Sequence, residues 1–91
     1  MASNCATASL ILIIKERGRK HVLSLLEEGW KFDHFRNMTD GCLWRLHHER
    51  SQKRAMVIVS LKLGQQAKAQ GIKPVCGYIA INGVIKTTIP L

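Results

Sequence analysis

From Arg50 to its C-terminus the chain contains no aspartate or glutamate. The only six carboxylates, Glu16, Glu27, Glu28, Asp33, Asp40 and Glu49, lie in the first 49 positions. They are too scattered to suggest a glycosidase pair or a divalent-metal site. Cysteine is equally sparse. Cys5, Cys42 and Cys76 are odd in number, far apart and free of any Cys-x-x-Cys pair, which argues against a disulfide framework and for a reducing compartment. The longest apolar run, Leu10-Ile11-Leu12-Ile13-Ile14, is too short to span a bilayer or form a signal-peptide core, so a soluble, cytoplasmic protein is expected. The sequence holds no glycine-rich phosphate loop, no HExxH and no suggestive order of Ser, His and Asp. Nothing in it calls for catalysis, a metal or a cofactor.

Apolar residues make up 46% of the 91 positions and charged ones 22%, the balance of a globular chain. A loose terminus over residues 1–8 and one domain over residues 9–91 are expected, with a core small enough for two copies to share. The net charge is +8. Basic residues nearly cancel the acids in the front half, whereas Arg50, Lys53, Arg54, Lys62, Lys68, Lys73 and Lys86 have no acidic counterpart behind them. Gathered on one folded surface, they would concentrate polyanions around it.

The run Leu10–Ile14 suits a buried strand ended by Lys15-Glu16-Arg17-Gly18. Its rival is a helix running on through Gly18, with Ile11, Ile14, Val22 and Leu25 on one face; the strand is the reading adopted. Arg19–Glu28 reads as a helix capped by a left-handed Gly29. Trp30, Phe32 and His34 alternate with Lys31, Asp33 and Phe35, and Cys42, Trp44 and Leu46 with Leu43, Arg45 and His47. A three-residue loop at Thr39-Asp40-Gly41 would set Phe32 opposite His48 and His34 opposite Leu46. Both tryptophans then share one sheet face, where they read as core, and Lys31, Arg45 and His47 form the wet face. A turn at Ser51-Gln52-Lys53 precedes a strand over Ala55–Leu63, apolar on both sides. Gln65–Gln70 fits a short helix. Asn82-Gly83 is a type I′ turn joining two strands over Val75–Ile89, with Ala80 opposite Ile85 and Tyr78 opposite Thr87. The expected order is β-α-β-β-β-(α)-β-β: an α+β domain with a mainly antiparallel sheet, one main helix and a short second one.

That register projects His34, Cys42 and His48 from one face, but their spacing matches no zinc pattern and the face is otherwise apolar. Gly29-Trp30-Lys31-Phe32 and Leu43-Trp44-Arg45 resemble elements of the FLYWCH-type zinc fingers. Leu46 stands where that family has a cysteine, and no second cysteine or closing His-x-His follows, so no site is carried over. The α-β-β-β-α run over Arg19–Gln70 is similar to double-stranded-RNA-binding domains and HicA-type toxin ribonucleases. The Gly-Ser-preceded histidine of the toxins has no equivalent in Asn37-Met38-Thr39-Asp40-Gly41. His34, His47 and His48 could serve as general acid or base for RNA cleavage, and a metal-independent ribonuclease is a distant third reading.

Two basic clusters remain: Arg17, Arg19 and Lys20 ahead of the expected helix, where free backbone N–H groups would help hold phosphate, and Arg50, Lys53 and Arg54 at a turn tip. With Arg45, Lys62 and Lys68 they form the expected contact set for nucleic acid, DNA or RNA. The alternative partner is an acidic surface on another protein, which the chain would dock on and block. The C-terminal segment Thr88-Ile89-Pro90-Leu91 is the edge expected to pair with a second copy.

Overall fold

A computed structural model describes residues 2–90, with side chains from Ala8 onward. Met1 and Leu91, the outermost residues of the expected loose terminus and pairing edge, lie outside the described residues. The fold is α+β. Helix α1 (Ala2–Glu27) is followed by strands β1 (Trp30–Met38), β2 (Gly41–His48) and β3 (Arg54–Ser60), helix α2 (Leu61–Ala69), and strands β4 (Val75–Ile81) and β5 (Val84–Pro90). The five strands form one antiparallel sheet in sequence order.

The first element is the main correction to the expected order: Leu10–Ile14 is helical, part of α1. β-branched residues favour strands only weakly, and tertiary packing decides. Ile14, Val22 and Leu25 are buried with Gly18 between them, a spacing of three to four residues that puts one stripe against the sheet. Gly18 is what lets the helix continue. A Cβ there would lie 2.6 Å from the Trp44 ring and 3.0 Å from Val59, so the missing side chain allows α1 to rest directly on β2 and β3. The helix ends at Gly29, whose φ of +99° is the left-handed cap expected.

The first hairpin turns through two residues, with Met38 opposite Gly41, and not through three. Trp30 therefore faces His48 and Phe32 faces Leu46. A two-residue turn alone would put the two tryptophans on opposite faces. A bulge at Asp33 absorbs the extra residue, as bulges do, and brings Phe35 opposite Trp44 and His34 opposite Arg45. The tryptophans stay on the α1 side, while His34 is turned to the other. Trp30 packs edge-on against His48, with ring centroids 5.4 Å apart, and Phe35 leans on Trp44 at 5.6 Å.

Strand β3 stops at Ser60, three residues earlier than expected, because Ser60 caps α2: its Oγ accepts from the Lys62 N–H at 3.1 Å. Asp40, in the β1–β2 turn, reinforces that cap. It accepts from the Ser60 hydroxyl at 2.5 Å and from the Lys62 N–H at 3.2 Å, and its carbonyl accepts from the Leu61 N–H. These bonds hold the Asp40 carboxyl below its ordinary pKa, the Ser60 hydroxyl contributing most. A depressed folded-state pKa adds stability that is present above the unfolded value and disappears as pH falls through the folded one. Asp40→Asn is therefore expected to be about 1 kcal/mol less stable than wild type at pH 7. The gap should close on acidification below about pH 4. Urea denaturation of both proteins at pH 7 and pH 3 checks this; an equal gap at both values contradicts it.

The second hairpin turns at Asn82-Gly83, with φ of +50° and +80°, as the sequence predicts. Asn82 also ties this turn to the start of β3: its Oδ1 accepts from the Arg54 N–H and its own N–H donates to the Arg54 carbonyl. Ala80 lies opposite Ile85, but Tyr78 pairs with Thr88, one residue beyond the expected Thr87, because a second bulge takes up Lys86.

Candidate functional site

α1 packs on β1, β2 and β3 from one face of the sheet, leaving Phe32 and Phe35 of that face about half exposed. Strand alternation and the register shifts at Asp33, Cys76 and Lys86 decide what reaches the other. Three rows of side chains cross that open face at right angles to the strands. The first runs Lys31, His47, Arg54. The second runs His34, Arg45, Met56, Ala80, Ile85, and the third Arg36, Leu43, Ile58, Tyr78, Thr88. With strands ~4.8 Å apart and rows ~7 Å apart, the face divides in two. Its β1–β3 side carries the cations, and its β3–β5 side carries Met56, Ile58, Tyr78, Ala80 and Ile85.

Carboxylates within the described residues neutralise only part of the cationic side. Lys31 pairs with Glu49 at 2.7 Å, and the ammonium holds the Glu49 carboxyl below its ordinary range. His47 Nδ1 is bound to the Asp33 carboxylate. The remaining ion pair, Glu16 with Arg19, is on the helix. Among the described residues, none of these pairs engages Arg36, Arg45 or Arg54. Arg45 and Arg54 border a shallow depression of about 390 Å³ floored by Met56, Ala80 and Asn82. A second depression of similar volume, mostly apolar, lies where α2 meets β4 and β5; Tyr78, Ile85 and Thr88 line it from the sheet, and Leu63, Ala67 and Ile72 from the other side.

The residues expected to form the contact set do not all meet here. Arg45 is central and Arg54 is one row away, with Arg50 and Lys53 in the adjoining turn. Arg50 shares its surroundings with Glu27, Glu28 and Glu49. Arg17, Arg19 and Lys20 sit in the middle of α1, on the opposite side of the sheet, so no free helix-start N–H groups accompany them. Arg17 donates to the Pro90 carbonyl at 2.7 Å and Arg19 pairs with Glu16 at 3.7 Å. Lys62 and Lys68 belong to α2, past the far end of β3 from Arg54, ~20 Å away along the strand. The cations of the acid-free half are thus spread over two ends of the molecule, and the continuous basic surface expected from them does not form. Arg36, from the acid-bearing half, lies on the same face as Arg45 and Arg54, on the strand that also carries His34 and Lys31.

The histidines and cysteines are also separated. His34 lies on the open face, Cys42 is buried beneath α1, and His48 packs on Trp30, so these three cannot share an ion. No cluster of metal-ligating side chains occurs among the described residues. Burial pushes the Cys42 thiol up to about 11, and burial raises that of Cys76 as well, which keeps both protonated and poorly nucleophilic.

Fold and site together define a helix-backed antiparallel meander whose free face is cationic on one side and apolar on the other. Comparison with protein-family models, curated proteins and solved structures finds no match.

Proposed function

We propose that the chain is a small, basic, non-catalytic nucleic-acid-binding protein that grips phosphates with the open face of its sheet. The observation carrying this reading is the set Arg36, Arg45 and Arg54, outside every ion pair among the described residues and within three rows of the sheet face opposite α1. Guanidinium groups are suited to phosphate because they present a planar fork of donors and stay charged at any physiological pH. Lys53 extends the grip at the β2–β3 turn. The buried free thiols of Cys42 and Cys76 accord with a reducing, cytoplasmic setting, and no described helix is long and apolar enough to cross a membrane.

Counterion release supplies the test. Three phosphates neutralised on a single strand give a slope of log affinity against log salt of about −2. Fluorescence anisotropy with a labelled oligonucleotide should therefore show a roughly twentyfold loss between 50 and 200 mM salt. Salt-independent binding, or none at the lower concentration, refutes the reading.

The second reading is an interaction protein that docks on an acidic protein surface. What favours it is the N-terminal half of α1. Leu10, Leu12 and Ile13 are exposed there, Leu12 to 66%, and at 26 residues the helix is longer than any strand beneath it. Pairing of β5 with a second copy belongs to the same reading, and salt-dependent binding to an acidic protein with none to the oligonucleotide would favour it.

A further inference from the structure

The division of the open face has a use that phosphate contact alone leaves unexplained. A double helix turns its phosphates outward and keeps its bases stacked inside, so it could use only the cationic side. A single strand has two unlike edges, a charged backbone and a row of unpaired bases with apolar faces. The sheet has the same two edges in parallel. Arg36, Arg45 and Arg54 occupy β1, β2 and β3, and Met56, Ile58, Tyr78 and Ile85 occupy β3, β4 and β5.

We infer that the open face binds single-stranded nucleic acid, with the backbone over the arginines and at least one base lodged against Tyr78. This rests on the nucleic-acid reading above and narrows it to a class of ligand. Arg45 and Ala80 are two strand spacings apart, ~10 Å, and Arg36 and Tyr78 are three apart, ~14 Å. Extended arginine side chains shorten those gaps to the scale of a nucleotide or two. The apolar depression beside Tyr78 measures about 390 Å³, within the ~300–1,000 Å³ usual for small-molecule sites, which is room enough for one base. Its exposed lining is mostly apolar, with the Tyr78 ring as its aromatic surface, and Gln66, Gln70, Lys73 and Thr88 add polar groups to its wall. Stacking on the ring tolerates any base, so selection among bases would have to come from those side chains. Neither tryptophan can substitute for Tyr78. Both are buried under α1, on the other side of the sheet.

The test compares four labelled probes on the intact protein: a uridine 12-mer, a thymidine 12-mer, and 12-base-pair RNA and DNA duplexes of mixed sequence. Both single strands should bind at least tenfold more tightly than either duplex. Tyr78→Leu, which keeps bulk but not a ring, should cost roughly tenfold on the single strands and leave the duplexes unchanged. Duplex binding equal to or tighter than single-strand binding overturns the inference while leaving the nucleic-acid reading in place. Failure to bind any probe removes both. A preference for RNA over DNA, or the reverse, would name the sugar within the same class. Should Tyr78→Leu not fold, ultraviolet cross-linking of a 4-thiouridine 12-mer to the wild-type protein decides the matter. Mass-spectrometric mapping should place the adduct on β4 or β5, and an adduct confined to α1 overturns the inference.

Discussion

Replacing Arg45 and Arg54 together by glutamate is expected to weaken oligonucleotide binding about a hundredfold at 100 mM salt, with the fold intact. Each exposed arginine–phosphate contact is worth about 1 kcal/mol, the Coulomb energy of two unit charges ~4 Å apart in water. Deleting two contacts removes about 2 kcal/mol, and reversing both charges adds repulsion that salt screens to under about 1 kcal/mol, together about a hundredfold. Among the described residues neither side chain is in an ion pair, and it is the Arg54 backbone that bonds to Asn82; stability should therefore change by less than about 0.5 kcal/mol. The informative control is Lys62→Glu with Lys68→Glu. It alters net charge by the same amount, so any general attraction between a basic protein and a polyanion falls equally in both variants. Only a local site distinguishes them. The α2 variant should lose less than about fivefold, and its slope against salt should remain near that of wild type. Anisotropy titrations of the two double variants at three salt concentrations measure this directly. Equal losses in both would mean that charge acts over the whole molecule and that the open face is no site.

The contrast between these two pairs of residues shows how far the sequence could be read. Alternation of period two correctly identified the strands around Trp30, Trp44 and Val57, and Asn82-Gly83 announced its own turn, because both signals are local and depend on backbone geometry alone. Arg45 was legible as a wet-face residue for the same reason. Arg36 and His34 were not. Their face depends on the bulge at Asp33, where one additional residue reverses every side chain that follows, and nothing in a run of Phe-Asp-His-Phe marks it. Lys62 and Lys68 misled for a different reason. Charge counted along the chain says how much is present, but β3 carries them ~20 Å from Arg54, and only the fold reveals that distance. An isoleucine-rich run such as Leu10–Ile14 satisfies strand and helix alike. The deciding fact, Gly18 seated on the Trp44 ring, is a tertiary contact.

The largest effect on stability is expected at two glycines that sequence reading treats as punctuation. Gly41 and Gly77 flank the C-terminal end of β3 from either side, opposite Ser60 and Val59. A Cβ on Gly41 would stand 1.9 Å from the Val59 carbonyl oxygen, and one on Gly77 would stand 2.1 Å from that of Ile58. In both cases the obstacle is backbone, with no rotamer to yield. Alanine at either site must push β3 away from its neighbour and open the ladder where Ser60 caps α2. Buried N–H and C=O groups would then lose their partners at about 1–3 kcal/mol apiece. We expect Gly41→Ala and Gly77→Ala each to cost about 3–5 kcal/mol, a large share of the roughly 5–15 kcal/mol available to a domain of this size. That corresponds to a fall in Tm of at least about 12 °C, and the double variant should not fold. Gly71→Asn is the matched control: its φ of +75° suits asparagine among L-residues and a Cβ there meets nothing, so its Tm should stay within about 5 °C of wild type. Thermal unfolding followed by circular dichroism separates the cases. If Gly41→Ala melted alongside Gly71→Asn, the strands would have room that this packing denies them, and the open face they align would be less rigidly built than its proposed ligand requires.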